Sequence, residues 1–145
     1  MTNPLIEKQK RMRNVITYII VAMSVLMASC GNPSAGVNQD ELVGRTAKTY
    51  YEYLLQGKYE AYVDGFYRPD SIPDSYREQL IVNAKMYLSQ MKDDHKGLRS
   101  VSIARAKADT TKHVGEAFLV LNFADNTREE IVVPVVLYKG NWMLR

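Results

Sequence analysis

The spacing of apolar residues changes twice along this chain, and the changes divide it into three parts. Residues 15–29 are almost all apolar or small. From about residue 38 to residue 94 apolar residues recur every three or four positions. From Leu98 onward they alternate with polar ones. A period near 3.6 predicts helices that bury one stripe, and a period of two predicts strands.

Asn38 or Asp40 is placed to cap a first helix, and Gly57 is suited to the left-handed residue beyond its end. Val43, Ala47, Tyr50 and Leu54 form its stripe, with Tyr51 and Leu55 beside them. A short helix over 58–64 follows, stopped by Gly65. Residues 67–75 contain Pro69 and Pro73 and read as a turn with a brief extended piece. Ser71 or Asp74 is expected to cap the longest helix, which runs to about Asp94 and ends at Gly97. Its stripe is Tyr76, Leu80, Ala84, Tyr87 and Met91, widened by Ile81 and Leu88.

Four strands follow. The first carries Val101 and Ile103 on one parity, then Arg105 and Lys107, and turns at residues 109–111. The second alternates Ala117, Leu119, Leu121 and Phe123 with Glu116, Phe118, Val120 and Asn122. The third covers 127–138 and is apolar on both parities, as expected of a strand covered on both faces. Pro134 has no N–H to give a ladder and marks an edge or a bulge. Residues 139–141 turn into a last strand at 142–144. Leu119, Leu121, Val133 and Val135 should face the helices, and Tyr50 and Tyr87 should meet that sheet face. Helices followed by an antiparallel meander make an α+β domain over 39–145, with N-terminal helices packed on a curved four-stranded sheet.

The leader changes the meaning of the charge. Lys8, Lys10, Arg11 and Arg13 precede the apolar run, which stops at Cys30, the single cysteine of the 145 residues. A basic region, a short apolar region and small residues form an export signal. The run is shorter than the roughly 20 residues that span a bilayer, and Gly31, Asn32 and Pro33 break it. Met27-Ala28-Ser29-Cys30 resembles the bacterial lipobox, although Leu26 stands one place upstream of the usual leucine. The resemblance implies a signal peptide over 1–29, cleavage before Cys30 and lipid on its sulfur. Residues 30–38 are then a lipidated tether. Translation from Met12 would also leave a complete signal. No acidic run follows Cys30, which favours an outer-membrane anchor facing the periplasm over surface export.

Lys and Arg number 19 and Asp and Glu 16, for a net charge of +3. Without the leader's four bases and one acid, 15 bases face 15 acids. A neutral domain lacks the electrostatic footprint of a nucleic-acid binder, and none is expected as a partner. With Cys30 lipidated, no thiol is left for redox or metal chemistry. Two separated histidines make no metal cluster, and no cofactor motif is present.

The stretch AKTYYEYLLQGKYEAYVD, a long helix and strands ending YKGNWML resemble the nuclear transport factor 2-like superfamily over about residues 40–145. The likeness is strongest to small lipoproteins with lumazine-binding-like domains. It implies a cystatin-like cone whose helices and curved sheet enclose a pocket. Familiar enzymes of that superfamily use an Asp base and a Tyr donor there, and neither role maps onto a numbered residue here.

Ten tyrosines supply rings with polar tips. Tyr50, Tyr62 and Tyr87, with Tyr53, are candidate pocket residues, and the alternative is helix-to-sheet packing. His113 opens a strand and is a further candidate. Asp64, before Gly65, reads either as an internal base or as a solvated helix end. His95 reads as a surface residue at a helix terminus. Ser71 in Asp-Ser-Ile and Thr110 in Asp-Thr-Thr resemble acceptors of periplasmic O-glycosylation. The expectation is a cell-envelope lipoprotein held in the membrane through Cys30. Its domain, a monomer or homodimer, would bind a small apolar ligand or an envelope protein without catalysis. A pocket enzyme of isomerase or dehydratase type is the alternative.

Overall fold

A computed structural model describes residues 36–145. The expected signal peptide, the expected lipidation site at Cys30 and residues 31–35 of the expected tether lie outside the described residues.

Helix α1 is Gln39–Leu55. The side chain of Asn38 accepts from the backbone N–H of Asp40 at 3.0 Å and of Glu41 at 3.4 Å. Asp40 is thereby free for the sheet, and its Oδ1 accepts from the Ala108 N–H at 2.7 Å. Gly57 is left-handed, as expected. Helix α2 is Tyr59–Asp64. Helix α3 is Asp74–His95, and neither Ser71 nor Asp74 caps it. Pro73 holds that position without a side-chain bond, and its φ of −59° already suits entry to a helix. Lys96 is left-handed beyond the far end and Gly97 follows it with positive φ.

Strands β1 (Leu98–Asp109), β2 (Val114–Phe123), β3 (Arg128–Tyr138) and β4 (Asn141–Leu144) form one antiparallel sheet in sequential order. In β1, Ile103 opposes Leu119 while Arg105 opposes Phe118. Ala104 is thus an extra residue, a bulge that reverses the parity of the strand. Before it Val101 points to the core, and after it Ala106 and Ala108 do. Arg105 is left outside, with its guanidinium 3.6 Å from the centre of the Phe118 ring and 2.9 Å from Glu130 Oε1.

The inner sheet face is packed solid. Ala117, Leu119, Leu121, Phe123, Val133, Val135, Trp142 and Leu144 form one buried cluster with Val43, Ala47 and Met91. The expected inward set on β2 and β3 is correct. Gly115 permits the close approach, because a Cβ there would lie 2.8 Å from Val43 Cγ2 and 3.0 Å from the Lys107 carbonyl. A second cluster joins Leu54, Val63, Ile81 and Ala84. Both clusters draw on residues between 42 and 144, so residues 37–145 carry their own core.

Two expectations need correction. The first concerns β3, which is covered on one face only: Val132 is 53% exposed and Pro134 is also exposed. Its outer apolar residues pair across the sheet, Val132 with Phe118, instead of meeting a second layer. Pro134 does sit at an edge, since β4 pairs with β3 only from Val135 onward. The second concerns the register of α3. Ile81, Ala84 and Met91 are buried, whereas Tyr76 and Tyr87 are 53% and 39% exposed. The N-terminal half of α3 packs on α2 and the end of α1, not on the sheet. Of its buried residues Met91 alone belongs to the sheet cluster, with the half-buried Leu88 packed against it.

Candidate functional site

With the inner sheet face filled, the space left for a ligand lies beside it. A cavity of about 580 Å³ opens between α2, the 66–72 connection and α3. Its size falls within the few hundred to 1,000 Å³ usual for small-molecule sites. Tyr62, Val63, Phe66, Ile72, Leu80, Ala84 and Tyr87 give it an apolar body. Tyr67, Arg68, Asp70, Tyr76 and Asn83 add polar groups, and none of the lining comes from the four strands.

Local chemistry fixes these walls. Phe66 forms a parallel bridge with Leu144. The Tyr67 N–H donates to the Leu144 carbonyl at 2.7 Å, and the Leu144 N–H donates to Gly65 at 2.9 Å. The connection is therefore clipped to the last strand. Tyr62 stands at the back, edge-on to Tyr51 at 5.8 Å and to Phe66 at 5.4 Å between ring centres. Burial pushes the phenol of Tyr62 up, and that of Tyr51 further. Burial, with Tyr51 and Glu129 nearby, takes Tyr87 up to about 12. All three are neutral donors at physiological pH. Arg68 donates to the Val63 carbonyl at 2.7 Å. Arg77 and Asp64 form a two-bond pair at 2.9 and 2.7 Å, and that pair, above all its hydrogen bond, holds the Asp64 carboxyl below its usual range. Asp64 is exposed, as a solvated helix end should be.

Of the tyrosine and histidine candidates, Tyr62 and Tyr87 share this cavity. Tyr50 does not line it. Its ring packs over Gly65 and edge-on to Tyr53, in a depression of about 710 Å³ between α1 and the β3–β4 hairpin. That depression is larger, but Arg45, Thr46, Thr49 and Asn141 interrupt its apolar lining. The smaller, more continuous cavity is the better ligand site. His113 is exposed in the β1–β2 turn with φ 57°, and its carbonyl accepts from the Leu137 N–H. It is brought to neither depression. Ser71 and Thr110 are both exposed outside regular structure. Sequence reasoning missed Arg68 and Asn83, because an arginine in a proline-rich turn and an asparagine on a helix carry no periodic signal.

One further polar cluster joins the end of α3 to the β2–β3 turn. His95 Nδ1 lies 3.1 Å from both Asp125 Oδ2 and Thr127 Oγ1. The Thr127 hydroxyl donates to Asp125 Oδ1 at 2.6 Å, and its N–H to the same oxygen at 2.9 Å. The imidazole stacks on Phe123, with centres 4.4 Å apart. A nucleophilic triad places acid and hydroxyl on opposite ring nitrogens. Here both address Nδ1 and the hydroxyl proton points to the acid, so the cluster is a structural clasp. Among the described residues, no group of three metal-ligating side chains converges, and no helix is long and apolar enough to cross a membrane.

These features define an α+β cone of the nuclear transport factor 2-like fold, with its interior filled and its cavity on the helical flank. No protein-family profile matches the chain, and no curated protein matches it. The fold is shared with a crystal structure from Campylobacter jejuni described as a "Putative NTF2-like transpeptidase". The match has a TM-score of 0.56 at 12% identity and covers 69% of this chain and 94% of that one.

Proposed function

We propose that this chain is a lipid-anchored module of the cell envelope that binds a small apolar or aromatic molecule without transforming it. The carrying observation is the aromatic-walled cavity of about 580 Å³ beside a core that is otherwise filled. The fold serves both binding modules and enzymes, so the site must decide. An isomerase or dehydratase of this type would need a buried, partner-held carboxyl or imidazole in the cavity. Among the described residues no charged or polar residue is buried, and the cavity's carboxylate, Asp70, is exposed.

The envelope part of the reading rests on the basic, apolar and small-residue order that ends at Cys30 and on the neutral domain behind it. Several acyl chains at Cys30 would give a stable anchor, where one alone is marginal. The absence of an acidic run after Cys30 supports a place on the outer membrane facing the periplasm within this proposal. Two experiments test the proposal. Residues 37–145 should raise the fluorescence of N-phenyl-1-naphthylamine saturably, and Tyr87→Ala should weaken this while Tyr53→Ala does not. Absence of saturable uptake overturns the binding reading. Palmitate should label the whole-cell protein but not Cys30→Ala, and equal labelling would refute the anchor.

A further inference from the structure

The polar groups of the cavity are not evenly balanced in what they leave free. Arg77, on the neighbouring turn of α3, has its guanidinium taken by both oxygens of Asp64. Arg68 is different. It is half-buried, its one hydrogen bond is to the Val63 carbonyl, and among the described residues it makes no ion pair. A guanidinium carries five N–H donors, so most of them remain free. Its bond to Val63, the last buried residue of α2, ties the head to a helix end and keeps it at the cavity wall. Asn83 adds to this. Its carbonyl accepts from Gln79 at 3.0 Å, which leaves its amide N–H₂ as the unused group. The lining thus offers a cation and an amide donor beside an apolar body. Asp70 is the one carboxylate of the lining and is exposed at the rim.

Resting on the proposed binding role of this cavity, we infer that its ligand is an amphipathic monocarboxylate. An apolar or aromatic body lies against Tyr62, Phe66, Leu80 and Tyr87, and a single carboxylate is received by Arg68. Arginine suits that head because its planar fork meets both carboxylate oxygens at once. A neutral ligand would leave the guanidinium unmatched, and a cationic one would face it directly. Asp70 disfavours the anion slightly, and solvent at the rim screens it.

A matched pair of probes tests the charge apart from the pocket. Residues 37–145 are titrated with 1-pyrenebutyric acid and with its methyl ester, which differ in charge but share the ring. The acid should bind about tenfold more tightly than the ester, the ratio expected of one charge-assisted bidentate contact. Arg68→Gln should bring the acid down to the ester, Arg68→Lys should restore part of the difference, and Asp70→Asn should tighten the acid. Thermal midpoints and near-ultraviolet circular dichroism verify that the variants are folded. Equal affinity of acid and ester in the natural chain overturns the carboxylate and leaves the apolar cavity standing. Tighter binding of 1-pyrenebutylamine, lost in Asp70→Asn, overturns it in favour of a cation. Binding of none of the three overturns the binding role of the cavity as well.

Discussion

The ring of Tyr50 occupies the space that a side chain on Gly65 would need. A Cβ built on Gly65 would collide with three atoms of that ring. The backbone of Gly65 is ordinary right-handed helix, φ −72°, which any residue adopts. The glycine is therefore required by the tyrosine and not by the turn. Gly65→Ala should cost about 1–3 kcal/mol through overpacking. Tyr50→Leu in the same chain should recover part of that loss, and urea midpoints of the four members of the cycle measure the coupling.

Tyr87 separates a packed ring from a lining ring. A fully buried aromatic costs about 3–5 kcal/mol when cut to alanine, but Tyr87 is 39% exposed and borders the cavity. Tyr87→Ala should cost no more than about 1.5 kcal/mol by the same scale. Leu121→Ala, in the sheet cluster, should cost about 2–5 kcal/mol. Urea unfolding measures both, and a larger loss for Tyr87 would make it a core residue.

The clasp at the end of α3 should show itself in acid. Hydrogen bonds from the Thr127 hydroxyl and N–H, with His95 adding to them, hold Asp125 down to about 2. A free aspartate titrates near 3.9. The folded carboxylate is the weaker base, so its contribution is complete above about pH 4 and is lost as pH falls towards 2. Thr127→Ala should raise the acid midpoint of unfolding, and Asp125→Asn should make stability less sensitive to pH between 4 and 2. Far-ultraviolet circular dichroism across that range reads both.

The tyrosines give the opposite limb. Tyr51, Tyr62 and Tyr87 are raised above the ordinary value of 10, chiefly by burial. The unfolded chain ionises first, so their contribution is present below about pH 10 and falls as pH rises towards 12. Stability should be level to about pH 9 and fall beyond it. Tyr62→Phe should flatten that fall, measured as urea midpoints against pH.

Much of the fold was legible because it rests on local periodicity. The meander, the inward residues of β2 and β3, the Asn38 cap and the Gly57 terminator were each written in a few adjacent positions. The α3 stripe misled because its two edges are nearly equal in apolar content. Which edge is buried depends on α2, a partner that periodicity cannot name. The bulge at Ala104 left no mark, since alanine suits either parity. The His95–Asp125 contact spans 30 residues and comes from the docking of a helix end on a turn. In the cavity, Tyr62 and Tyr87 stand out in the sequence by ring type, while Arg68 and Asn83 gain meaning only from what surrounds them.

The cavity lining is confined to residues 62–87, whereas the sheet half of the main core lies between 98 and 144. On the proposed binding role, most of what selects the ligand is written in one short stretch that precedes the strands. Leu80, Asn83 and Tyr87 can vary there with little effect on the sheet, whereas Tyr62 and Phe66 also pack against the sheet cluster and Phe66 bridges Leu144, so changes at those two are felt by both. Relatives of this chain should accordingly diverge in binding by altering one short interval, and a chimera exchanging only that interval should carry its donor's preference with it.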